Sequence, residues 1–370
     1  MIYYIVGCKM DILVLDQSYS AIANIDEYKS FIWTDRYSKA GDFQLDISVS
    51  SKYLPFLVLE NYLTIKDSEK IMIIEDISID SDETEGNYAK ITGRSAESIL
   101  DRRVFMTANT LTGNIKDGVK GILNDNFINP SAYERKIENF KFIESTDPNI
   151  TSLTFEETKY SKGENVYDTI VSICEYYQIG FSIILNDNNE FEFSLYSGTE
   201  RTYDQSSIPY VVFSPNYDNL KNSNYYTSIT TYKNINFILG EGSDEDQVNA
   251  TVGSGYGLAR REMSTNSTKV STDIDGVVVS SGEYMNILVQ DAKKELLKNK
   301  VKLVFDGETD AKQLYTYGND FFIGDIVQIE DEYKHTGKVC ITELIVSVDT
   351  EGYSVYPTFE SYEKREEGDN

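Results

Sequence analysis

The sequence predicts a mainly β protein with a minority of α-helix, an α+β chain. Three observations predict it. Between Tyr315 and Phe359, apolar residues fall into strand-length runs: Phe321–Ile323, Ile326–Ile329, Val339–Ile341, Leu344–Val348 and Tyr353–Phe359. Turn chemistry separates them: Gly318-Asn319-Asp320, Gly324-Asp325, His335-Thr336-Gly337 and Asp349-Thr350-Glu351-Gly352. This is the pattern of an antiparallel meander. The composition agrees, with 28 Tyr and 17 Phe but only 6 Pro in 370 residues, a mix that suits pleated, half-buried strands. Helical spacing, the third observation, is confined to a few stretches.

Strand patterns open the chain at Asp11–Leu15 and Tyr19–Ile25. Ser30–Arg36 and Phe43–Val49 form a pair across the loop Tyr37–Asp42, which contains Gly41. Trp33, the single Trp, alternates with Phe31, which marks it as core or subunit interface rather than a ligand platform. Tyr62–Lys66, Lys70–Ile79 and Asn87–Thr92 continue the pattern, with Asp80–Gly86 as an acidic hairpin tip. That tip is a poor calcium loop: its Gly falls one position late and the distal Glu is missing.

Ser95–Arg102 predicts a short helix capped by Ser95, and Asn114–Asn126 a second, ending ahead of Asn129-Pro130. Ser161–Ile179 places Val166, Ile170, Ile173, Cys174 and Tyr177 on one apolar face, with Gly180 set to end it. A hairpin follows, Phe181–Leu185 and Phe191–Leu195 around Asn186–Asn189. Arg201–Tyr217 carries Pro209 and Pro215 and predicts a crossing between domains, after which Thr227–Leu239 returns to strand pattern. Gly240–Val270 is rich in Gly, Ser, Asp and Asn. Its GSGYG, Gly253–Gly257, has no buried strand before it, no helix opening at it and no Gly-Lys-Ser after it, so it reads as a glycine-rich loop rather than a phosphate cradle. Ser280 with Glu283 makes a capping box for a helix to Lys300, with Met285, Leu288, Ala292 and Leu296 as its apolar stripe. Ser361–Asn370 predicts a disordered tail.

A chain of this length suggests two to four domains. Gly324 interrupts its run after three apolar residues, which predicts a bulge or corner and hence a barrel or strongly curved sheet. Replacing Gly324 with Val is expected to cost roughly 1–3 kcal/mol in backbone strain. Cys8, Cys174 and Cys340 lie far apart with no CxxC pair, which argues against a disulfide framework or zinc site. The lone histidine, His335, excludes histidine-dependent nucleophiles, histidine metal triads and HExxH helices. With 61 Asp and Glu, no particular carboxylate pair is informative, so a carboxylate-based glycosidase stays open. So does a carbohydrate-binding adhesin using Phe321-Phe322 or Tyr225-Tyr226. No catalytic, cofactor or metal residue is predicted. The net charge of −27 excludes tight binding of nucleic acid through phosphates. No run is long enough for a membrane span, and Ile2–Val6 is too short for a signal-peptide core.

Three blocks carry a family resemblance. They are "YGNDFFIGDIVQIED" with "GYSVYPTFE", "IWTDRYSKAGDFQLDI" (Ile32–Ile47) and "ITGRSAESILDRRV" (Ile91–Val104). In this order they resemble the tail-hub proteins of long-tailed bacteriophages, over Met10 to Phe359. The resemblance implies two tail-tube-like antiparallel β-barrels, each split in sequence. Mapped here, one barrel takes 10–104 and 208–240, the other 105–207 and 301–360, and 241–300 forms a side insertion. It implies a structural role in the virion at the distal end of the tail, after assembly in the host cytoplasm. It also implies a homotrimer that matches a hexameric distal-tail or tail-tube protein, with a tape-measure protein as a further partner. Met1–Lys9 would be an upstream extension, and a separate tip, spike or receptor-binding protein would supply what longer members carry after the hub. The resemblance and the charge together place the scarcer basic residues at protein contacts: Arg102, Arg103, Arg260 and Arg261, with Trp33 as a further interface candidate.

Overall fold

The computed structural model describes residues 10–66, 68–82, 86–271, 278, 280–308, 315–333, 335–349 and 352–362. Met1–Lys9, with Cys8, and residues 363–370 of the expected tail lie outside them, whereas Ser361 is in register with Val339 in a strand.

The first seven strands are Ile12–Leu15 (β1), Ala21–Ile25 (β2), Ser30–Arg36 (β3), Asp42–Ser48 (β4), Tyr62–Ile65 (β5), Ile71–Asp82 (β6) and Gly86–Ser95 (β7). Alternation builds them: in β4, Phe43, Leu45 and Ile47 are buried and the polar residues between them are not. β6 and β7 pair antiparallel out to Asp82 and Gly86; the middle of the acidic stretch expected between them, 83–85, lies outside the described residues. Ile71-Met72-Ile73-Ile74 has no alternation because both faces are covered: Met72 and Ile74 enter one core, Ile71 and Ile73 a second.

Residues 96–196 build most of the second core. Ala96–Arg102 is a 3₁₀-helix, followed by Asn109–Asn114 (β8), Ile115–Leu123 (α1), Phe140–Ile143 (β9), Thr154–Tyr160 (β10), Val166–Tyr177 (α2), Gly180–Leu185 (β11) and Phe191–Tyr196 (β12). Local chemistry sets the helix ends somewhat differently from the expectation. Ser95 makes no cap, because its hydroxyl accepts the Gly41 N–H at 2.8 Å. α1 runs through a π turn to Ile128, past Asn126. α2 begins only after Asn165, whose Oδ1 accepts the N–H groups of Tyr167 and Asp168. Gln178, not Gly180, takes the left-handed turn that ends it.

Next come Lys221–Ser228 (β13), Ile235–Leu239 (β14), Asn249–Gly253 (β15), Glu262–Asn266 (β16) and Ser281–Lys298 (α3). The Ser280/Glu283 capping box is present. The buried face of α3 is Tyr284, Ile287, Leu288 and Ala292, rotated from the expected stripe so that Met285 is exposed. α3 packs on the β15–β14–β16 sheet through Ile238, Tyr284, Leu288 and Ala292, a small third core.

The chain closes with Lys302–Glu308 (β17), Ile326–Glu330 (β18), Thr336–Val348 (β19) and Tyr353–Ser361 (β20). Val339–Ile341 and Leu344–Val348, read from the sequence as separate runs, are one strand with an irregularity between Ile341 and Glu343. The inward positions change there from odd (Val339, Ile341) to even (Leu344, Val346, Val348), as an extra residue requires.

One large sheet runs β13–β17–β20–β19–β3–β4–β7–β6–β5–β1–β2, with β18 also paired to β19. The protein is therefore mainly β with several sheets and minor helix. The grouping of 301–360 with 105–207 differs from the hydrogen bonds: β19 pairs with β3, Val346 opposite Trp33, and β20 pairs with β19. β19 is long enough to serve β20 on one edge and both β18 and β3 on the other, which draws the C-terminal strands onto the N-terminal ones. Likewise 221–228 joins this sheet, while 235–239 belongs with the side insertion.

Candidate functional site

Two of the sequence blocks meet at a buried joint. Tyr37 follows β3, and its ring stands edge-on to Tyr196 at 5.3 Å. The Tyr37 hydroxyl donates to the Gln178 carbonyl and accepts the Gly198 N–H, both at 3.1 Å. The Tyr37 N–H donates to the Thr342 carbonyl at the β19 irregularity (3.0 Å), and the Tyr37 carbonyl accepts the Phe181 N–H (3.2 Å). Burial holds the phenol far above its ordinary value, so it remains a donor. Beside it Gly324 has φ +91°, the corner its sequence position predicted. Asp325, next in the chain, is 2% exposed on its side chain. Its carboxylate accepts the Thr199 N–H (2.8 Å), the Phe322 N–H (3.0 Å) and Arg201 Nε (2.6 Å). These groups satisfy one another and leave nothing for a substrate, so the joint fixes the two cores in place.

The predicted interface residues are dispersed. Trp33 is in the first core, its indole N–H on Asp35 at 3.1 Å. Arg102 pairs with Glu60 at 3.0 Å. Arg103 donates to the carbonyls of Arg102 (2.9 Å) and Arg135 (3.2 Å), with its guanidinium 5.8 Å from the Phe127 ring centre. Arg260 pairs with Glu262, and Arg261 donates to the Ile229 carbonyl at 3.2 Å. Both lie beside the Gly253–Gly257 loop, which leads into a short 3₁₀ turn and then β16, without the helix that a phosphate cradle needs. Asn234 braces the 3₁₀ turn after that loop by donating to the Ala259 carbonyl, and Leu258 in the same turn is 102% exposed. Arg135 went unremarked in the sequence because nothing in its local pattern marks it; only the fold brings it to Arg103.

The residues considered for chemistry have ordinary structural roles. His335 stacks on Tyr225 with ring centres 5.4 Å apart and hydrogen-bonds Asp331 at 2.6 Å. Phe321 is buried in the core while Phe322 is exposed, so that pair is split between two faces and is no stacking platform. Cys174 and Cys340 are free, and burial raises both thiols, Cys340 to about 12. Among the described residues no cluster of His, Cys, Asp and Glu could hold a metal, and no helix is long and apolar enough to cross a membrane.

Glu97 is the buried carboxyl with a pH consequence. Its Oε1 accepts the Ile183 N–H at 3.0 Å, tying the 3₁₀-helix to β11. Burial raises its pKa above the ordinary 4.5, and hydrogen bonds and Lys70 offset part of that. A raised folded-state pKa favours folding fully below the unfolded value and loses that contribution as pH rises through the folded value. Glu97→Gln keeps an acceptor for Ile183 without the charge. Its thermal midpoint should exceed that of the wild type at pH 8, with the gap closing as pH falls toward 5. A gap independent of pH would show that ionisation of Glu97 costs nothing.

This architecture is the fold of phage and prophage tail proteins. Similar solved structures include a tail protein from Neisseria meningitidis MC58 (TM-score 0.58, 10% identity, covering 95% of this chain and 96% of that one). The 43 kDa tail protein of prophage MuSo2 from Shewanella oneidensis is similar too (TM-score 0.58, 11% identity, 95% and 98% covered). So is the prophage tail protein gp18 from Listeria monocytogenes EGD-e (TM-score 0.55, 14% identity, 96% and 95% covered). The chain belongs to the Siphovirus ReqiPepy6 Gp37-like protein family, whose model matches residues 11–359. It is thus a member of a siphovirus protein family and has the fold of phage tail proteins. No curated protein sequence matches it.

Proposed function

We propose that three copies form the hub at the distal end of the tail. The observation that carries this reading is the two-core chain: residues 96–196 build most of a second core, inserted between the strands of the first and joined to it through Ile71–Ile74. Three such chains would present six β units, enough to adapt a hexameric tail-tube or distal-tail ring to a three-fold tip. In this reading each unit closes as a barrel, the inserted strands and α3 project to the side, and a tape-measure protein and a separate tip protein bind at the two ends.

The net charge supports a role in the DNA exit path. DNA carries one negative charge per about 1.7 Å of axis, and a basic lining would hold it through phosphate contacts. An acidic lining repels it weakly, over about 8 Å at physiological salt, and lets it slide. Native mass spectrometry of the purified protein and of the assembled tail should find a trimer. A monomer at micromolar concentration, with no trimer in the tail, would overturn the hub. A trimer whose channel is lined by Lys and Arg would keep the hub and overturn the electrostatic part.

A structural role also predicts no hydrolysis. Purified protein incubated with host cell walls or surface glycan should release no reducing ends. Release that survives further purification and is lost on mutation of one carboxylate would make the chain an enzyme.

A further inference from the structure

In a chain with 61 acidic and 34 basic residues, a guanidinium has many carboxylates to choose from. Arg103 and Arg135 have none. Among the described residues neither forms an ion pair, and each Nε is buried without a hydrogen-bond partner. Arg135 donates one nitrogen to the Val104 carbonyl and to Asn126 Oδ1, both at 2.8 Å, and Arg103 donates to the Arg135 carbonyl. The fold thus holds two like charges together, with Arg102 beside them. Burial and the charges of Arg135 and Arg102 lower the pKa of Arg103. Such a pair is repulsive and partly desolvated, and it lacks the carboxylate that would complete it.

The surroundings complete the picture of a contact surface. On the same segments, Val104 is 43% exposed, Met106 56% and Tyr133 74%. Arg, Met and Tyr are the residues enriched where protein surfaces meet. These side chains sit on a braced base: Phe105 stacks on Tyr160 at 3.7 Å, and the 3₁₀ turn Tyr133–Arg135 leads back toward Phe127.

We propose that this patch docks a carboxylate-bearing surface of a second copy of this chain, with Arg103 and Arg135 receiving the carboxylate and Met106 and Tyr133 packing around it. The choice of occupant rests on charge: the chain is itself strongly acidic, so its copies supply the missing sign. The inference builds on the trimer reading and names one of its contacts.

The test is sedimentation and native mass spectrometry of wild type, Arg103→Glu with Arg135→Glu, and Met106→Asp. Wild type should trimerise, more weakly as salt rises. The double variant should weaken association at least about 100-fold, the loss expected when one side of a buried charged contact is reversed. Met106→Asp should weaken it as well. If the double variant fails to fold, Met106→Asp, at an exposed position, decides. Variants that trimerise like the wild type would overturn the contact and leave the hub standing. Variants that trimerise but no longer enter the assembled tail would assign the patch to another tail protein, overturning the self-contact. A wild type that never trimerises would overturn both.

Discussion

Gly324→Val should destabilise the protein by about 2–6 kcal/mol and lower its melting temperature by several degrees. Two costs add. The backbone at Gly324 has φ +91°, which a β-branched residue adopts only with strain of about 1–3 kcal/mol. An added Cβ would also stand 2.7 and 2.8 Å from Cδ2 and Cζ of Tyr37, with Cε2 closer still. Forcing a buried ring aside costs about 1–3 kcal/mol more. The ring cannot swing away cheaply, because its hydroxyl is held by Gln178 and Gly198. Gly324→Ala should lose less, since it adds no branch. Thermal and urea unfolding of both variants measure this. An unchanged midpoint for Gly324→Val would mean that the corner is not under constraint.

Asp325→Ala should cost about 3–5 kcal/mol, the loss expected when one partner of a buried ion pair is removed. The Thr199 and Phe322 amides and the Arg201 guanidinium all donate to this one carboxylate. Removing it leaves a mostly buried cation and two amides unpaired. Arg201→Ala should cost less, because Asp325 keeps both amides. The two changes should also be strongly non-additive, as expected of groups in direct contact. A double variant that loses the sum of the two single losses would show that the ion pair does not hold the joint. Both experiments strain the place where residues 37, 198–201 and 322–325 come together, so each should loosen the contact between the two cores.

Much of this protein is legible in its sequence, and for physical reasons. Alternation with period two identifies strands such as β3, β4, β11 and β12 because one face of each meets a core. The Ser280/Glu283 box starts α3 because its bonds span only three residues. Gly324 announced its positive φ because no other residue takes that conformation without strain. The lone histidine and scattered cysteines limited the available chemistry before any fold was known.

Tertiary structure decided the rest. Ser95 looked like a cap, but a distant amide, that of Gly41, claimed its hydroxyl. Ile71–Ile74 reads as one apolar run; only the fold sends alternate residues into two cores. The pairing of β19 with β3 joins residues about three hundred positions apart, and strand pattern alone is silent on the choice of partner. Arg103 and Arg135 are likewise two ordinary basic residues in the sequence. Their common lack of a carboxylate exists only because long-range packing sets them side by side.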